Sequence, residues 1–140
     1  MQAFILLSLI AATFLPVEPP RKTAKIEIIT AQSDTVNYLR IKRFLSERSI
    51  PIADSDSEIH TIKTDRIRGK FSNLLIFLFS CQGNSIFITG YYYNTFFRSN
   101  DLSRIKNTGM KGSMDNRAWS DMYNISLHIA AQDSVAYHLQ

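Results

Sequence analysis

Apolar and polar residues change their spacing several times along this chain, and each change marks an element. Ala3 to Leu15 (AFILLSLIAATFL) is apolar apart from Ser8 and Thr13 and carries no charge. After Pro16, Pro19 and Pro20, the run Lys25-Ile26-Glu27-Ile28-Ile29-Thr30 alternates and is β-branched, the pattern of a short strand. Ser33 or Asp34 then offers an N-cap oxygen to a helix reaching about Arg48. Its wheel gathers Tyr38, Ile41, Phe44 and Leu45 opposite Arg40, Arg43 and Glu47. Pro51, with no amide proton to donate, ends it.

Ile52-Ala53-Asp54 reads as a short strand entering the acidic turn Asp54 to Glu58, and Ile59 to Thr64 as another. Leu74 to Phe79 is a continuous apolar run of central-strand length. Gln82-Gly83-Asn84 supplies turn chemistry, with Ile86 to Tyr93 as the hairpin partner. From Asn94 to Asn116 no period is evident. A last helix of about five to six turns is predicted from near Asn116, with Trp119, Met122, Tyr123, Ile129, Ala130 and Tyr137 on one side. Val135 falls on its polar side, and Ser126 and Asp133 interrupt the apolar stripe. The predicted order is β-α-β-β-β-β-α. That is an α+β domain with an antiparallel sheet of about four to five strands and two helices on one face.

The first apolar run changes what the rest can be doing. Thirteen residues are too few for a bilayer, which takes about 20, but suit the core of a secretory signal. No Lys or Arg precedes the run, and Ala11 and Ala12 make a poor cleavage site. The expectation is a signal segment over 1–18, a Pro-rich joint over 19–24, a single domain over 25–140, and no transmembrane span after signal removal. The alternative is that residues 3–15 form a buried element of the fold.

At 140 residues one domain is expected, and it can bury a core without staples. Cys81 is the only cysteine, which excludes an intramolecular disulfide and any C-x-x-C motif. The net charge is +4, and the basic excess lies between Ile59 and Arg117, with nine basic residues against three acidic. Such a balance permits binding to nucleic acid, anionic lipid or acidic glycans, and a solvated basic surface accounts for it as well.

Candidate chemistry adds little. His60, His128 and His138 are not spaced as metal ligands, so no metal or cofactor is expected. There is no nucleophile elbow, and Cys81 has no charged neighbour in sequence to lower its pKa. Asp54, Asp56 and Glu58 lack the glycine and closing glutamate of a calcium loop and read as a solvated turn. Gly109-x-x-Gly112 has the spacing of the KH backbone clamp but leads from a strand into a helix. Phe87, Tyr91 and Tyr93 could stack bases, although Arg68-Gly69-Lys70-Phe71 departs from the RNA-recognition signature after two positions. Asn124-Ile125-Ser126 is a formal glycosylation triplet inside the last helix.

The segment RFLSERSIPIADSDSEIHTIKTD, the hairpin after it, and the glycine-containing stretch leading into AWSDMYNISLHIAA resemble a group of small exported bacterial domains. These are uncharacterised, often lipoprotein-attached envelope domains. Some share a helix-grip sheet similar to the repeat domains of the outer-membrane assembly lipoprotein BamC. The resemblance covers about residues 25–140 and departs at the N-terminus, where the attachment cysteine is missing. It implies a BamC-like α+β fold and a non-enzymatic accessory or protein-binding role in the periplasm or envelope, with an envelope protein as partner. The expected contact surface is Tyr91, Tyr93, Arg98, Arg104, Lys106 and Lys111. The alternative is a nucleic-acid-binding domain using the basic loop and the aromatic strand, with the N-terminal run part of the fold.

Overall fold

The computed structural model describes residues 18–71, 73–93 and 101–139. The apolar run from Ala3 to Leu15 and the nominated Arg98 lie outside them. In chain order the elements are β1 (Thr23–Ile29), α1 (Asp34–Glu47), β2 (Ile52–Asp56), β3 (Thr61–Thr64), β4 (Ile67–Arg68), β5 (Leu74–Gln82), β6 (Ser85–Tyr93), β7 (Leu102–Arg104), α2 (Met114–Ala130) and β8 (Ser134–Leu139). They form one antiparallel sheet, β2-β3-β5-β6-β1-β8, with β4 added on β5 and β7 on β6.

The domain is α+β with two helices, but the expected sheet of four or five strands is wrong: it has eight. The predicted order β-α-β-β-β-β-α becomes β-α-β-β-β-β-β-β-α-β. Two of the missed strands, β4 with two residues and β7 with three, are too short to show a period. The third, β8, lies inside the stretch read as the end of the last helix.

That helix stops at Ala130 because of a contact from elsewhere in the chain. Ala131 turns the backbone at φ 52 without a glycine. The Arg40 guanidinium, from α1, donates to the Ile129 and Ala130 carbonyls and pairs with Asp133 at 2.7 Å. A cation on the orphan carbonyls of a helix end stabilises the stop. Beyond it the period changes from 3.6 to 2. Val135 and Tyr137 pair with Ile28 and Ile26 on β1, which places them on the side of the sheet that the helices cover. The anomalies of the helical wheel at Asp133 and Val135 are the ion-pair partner and the first inward strand residue. Arg40→Leu is expected to cost about 1–2 kcal/mol, at the low end for charged hydrogen bonds because both partners are about a third exposed. Urea unfolding measures it.

Alternation sorts the central strands by face. Ile26, Ile28, Leu75, Phe77, Phe79, Cys81, Ile86, Ile88 and Tyr92 pack in one core with Tyr38, Ile41 and Leu45 of α1 and Trp119, Met122 and Ile129 of α2. Both helices therefore cover the same face. Each begins on a serine: the Ser33 and Ser113 side chains accept from the amides of Val36 and Asn116. Tyr92 ties β6 to the start of α2 by donating to Asp115 Oδ1 at 2.8 Å. At the opposite end the buried Asn37 amide donates to Thr30 Oγ1 at 2.9 Å, anchoring α1 to the end of β1.

Candidate functional site

Among the described residues, the other face of the sheet carries no helix. Register pairs place side chains in rows across it, because directly opposed residues of an antiparallel ladder share a face. One row runs Asp56, Thr61, Ser80, Phe87, Glu27 and Ala136. The next runs Asp54, Lys63, Leu78 and Thr89, and continues to Lys25 on β1, one position beyond the Ile26–Ile88 pair, and to His138. Further along the hairpin lie Ile76, Tyr91 and Arg104, and then Tyr93 and Leu102.

The two middle rows enclose a half-open groove of about 530 Å³ with Leu78, Phe87 and Thr89 at its centre and Lys25, Lys63 and Asp54 around it. That volume falls within the range of ligand sites in proteins. The β1 side of the groove is ordered by a polar chain. Ser85 Oγ donates to Glu27 Oε1 at 2.6 Å, and His138 Nε2 meets Glu27 Oε2 at 2.6 Å. The Lys25 ammonium sits 5.1 Å from the centre of the Phe87 ring, and the His138 ring lies beside it at 6.3 Å.

The Ser85 hydroxyl, followed by His138, holds the Glu27 carboxyl below its ordinary value of 4.5, against the opposing effect of burial. A carboxylate depressed in this way stabilises the fold above its unfolded pKa, and that contribution disappears as pH falls through the folded value. The stability difference between wild type and Glu27→Gln is therefore expected to be greatest near neutral pH and to shrink below about pH 4. Thermal melts across that range test it.

The structure distributes the nominated surface unevenly. Tyr91 and Arg104 are register partners on the open face, and Tyr93 lies there under the Arg66 guanidinium at 4.7 Å. Tyr92, between the two tyrosines, points into the core. Lys106 is exposed where the chain leaves β7 to hydrogen-bond with Lys22 and Thr23, and Lys111 is exposed on the turn before α2. Arg98 falls outside the described residues. Sequence reasoning missed Lys25, Lys63 and Leu78. Alternation in β1 marks Lys25, whereas Leu78 lies in the continuous apolar run of β5, and neither pattern reveals that both helices choose the other face.

The remaining candidates resolve into structural parts. His60 bridges to α1 through Thr35 at 3.2 Å and Asp34 at 3.6 Å, and His128 Nδ1 lies 2.7 Å from the Asn124 carbonyl one turn back on its own helix. Among the described residues no three His, Cys, Asp or Glu side chains converge as metal ligands. Asp56 Oδ1 accepts from the amides of Glu58 and Ile59 and so shapes the acidic turn. Gly109 and Gly112 take φ 69 and 81, left-handed values that let the chain turn into the Ser113 cap. Burial, with Asp34 second, pushes the Cys81 thiol up to about 11. Cys81 is accordingly expected to resist iodoacetamide at pH 7.5 in the native protein and to react only in denaturant, as mass spectrometry would show. No described helix is long and apolar enough to cross a membrane. No protein-family model matches this chain, and comparison with curated proteins finds no relative.

Proposed function

We propose that this chain is an exported, non-enzymatic domain of the cell envelope that acts by protein contact, and that the open face of its sheet makes the contact. The observation that carries the reading is the row structure of that face. Leu78, Phe87, Tyr91 and Tyr93 are half-buried apolar or aromatic anchors, with Lys25, Lys63, Arg66 and Arg104 around them. Aromatic and arginine side chains on an accessible concave face are the residue types that dominate protein interfaces. The export half of the proposal rests on the run Ala3–Leu15. Every described strand and helix lies at or beyond Thr23, so removal of residues up to about Glu18 leaves all of them intact.

The same aromatic and basic side chains also suit a nucleic acid, and two observations favour protein instead. The Phe87 and Tyr93 rings already have cations over them, Lys25 at 5.1 Å and Arg66 at 4.7 Å, where a base would need to stack. Asp54, Asp56 and Glu27 share the face and would repel phosphates.

A photo-crosslinking residue at Thr89, on the open face, is expected to give a discrete adduct in cells. The same residue at Arg43, exposed on α1, is expected to give none. The natively produced protein is expected in the envelope fraction with its N-terminus between Glu18 and Thr23. An intact Met1 in the cytosol, together with nucleic-acid binding that weakens steeply with salt, would overturn the proposal.

A further inference from the structure

We infer that the groove recognises an extended acidic segment of the partner protein with the pattern acid–x–apolar–x–acid; the inference rests on the open face being a protein-contact surface. Lys63 and Lys25 stand in one row, inside Asp54 and His138, separated from each other by Leu78 and Thr89 on the intervening strands. Three strand spacings put their Cα atoms roughly 14 Å apart. An extended peptide advances about 13 Å from residue i to residue i+4 and turns i, i+2 and i+4 to the same side. A segment laid across the strands therefore brings two carboxylates to the two ammonium groups. Its central side chain is lowered onto Leu78 between them.

The charges support that register. Neither lysine is ion-paired among the described residues. Among the described residues lining the groove, Asp54, opposite Lys63 on the edge strand, is the one carboxylate against the two ammonium groups. Both oxygens of Glu27 are already engaged by Ser85 and His138. The backbones of β3, β5 and β6 are paired on both sides, so an incoming segment cannot add to the sheet there and is held through side chains. Thr61, Ser80 and Thr89 also line the groove and bring hydroxyl-bearing side chains to the segment's backbone.

The test is an NMR titration of the natively produced protein with an acetylated peptide centred on aspartate, serine, phenylalanine, serine and aspartate. Shifts are expected at the amides of Leu78, Phe87 and Thr89. The dissociation constant should rise about 5–10-fold in Lys63→Gln and in Lys25→Gln, and rise with salt. Deleting one serine, which puts the acids on opposite sides, should weaken binding by a similar factor of roughly 5–10. The double variant Lys25→Glu with Lys63→Glu is expected to lose the acidic peptide and gain its lysine-for-aspartate counterpart, a rescue that misfolding cannot produce. Equal binding of both peptides to the wild type, or shifts confined elsewhere, overturns the inference. So does the absence of shifts with the acidic peptide. If Thr89 still crosslinks in cells when the peptide fails, only the ligand class falls; if both fail, the contact surface falls with it.

Discussion

Phe77→Ala is expected to lower the unfolding free energy by about 3–5 kcal/mol, the range for removing a fully buried phenylalanine. Phe77 is 0% exposed, in the middle of β5, facing the helices. Its neighbours cannot close the space easily, because they belong to paired strands on one side and capped helices on the other. A loss of this size is a large fraction of the roughly 5–15 kcal/mol that holds a typical domain together. Urea unfolding followed by tryptophan fluorescence reports it through Trp119, which lies in the same core. A loss below about 1 kcal/mol would show that the ring is not packed as described.

Gly90→Val acts at the same place from the opposite direction. Gly90 is the register partner of Phe77 on β6. A Cβ there would meet the Ile76 carbonyl and Ile105 Cδ1 at 2.9 Å and Phe77 Cδ1 at 3.0 Å. Side chains can shift by a few tenths of an ångström, but a backbone carbonyl within a paired ladder cannot do so without disturbing its strand. The Gly90 carbonyl also accepts from the Ile105 amide at 2.9 Å, so the strain reaches the segment that follows β7. A cost of about 3 kcal/mol is expected, at the upper end for overpacking. Because the two residues touch, the effects should not add. Phe77→Ala relieves one of the three close approaches, and the double variant should lose about 1 kcal/mol less than the sum of the single losses.

Gly90 also illustrates what was legible in the sequence. A glycine inside a strand pattern signals close approach, and the Ile86–Tyr93 alternation around it was clear. What approaches it was not clear, since Ile105 arrives from a stretch without periodicity. The same division holds at the candidate site. Tyr91, Tyr93 and Arg104 were nominated from composition and do share the open face. Lys25 and Lys63 come from strands nearly forty residues apart and become neighbours across a groove only when β3, β5, β6 and β1 are laid side by side.

By itself the sequence determined the local structure: the cap of α1 at Ser33 or Asp34, its stop before Pro51, the β5–β6 hairpin and the apolar stripe of α1. Each of these depends on interactions within a few residues, so its signal is local. Only the tertiary structure decided the length of α2 and the existence of β8, because the residue that ends the helix is Arg40, ninety positions upstream. It also decided which face of the sheet stays open. Alternation gives every strand two candidate inner faces, and the packing of α1 and α2 against one of them leaves Leu78, Phe87 and the two lysines on the other.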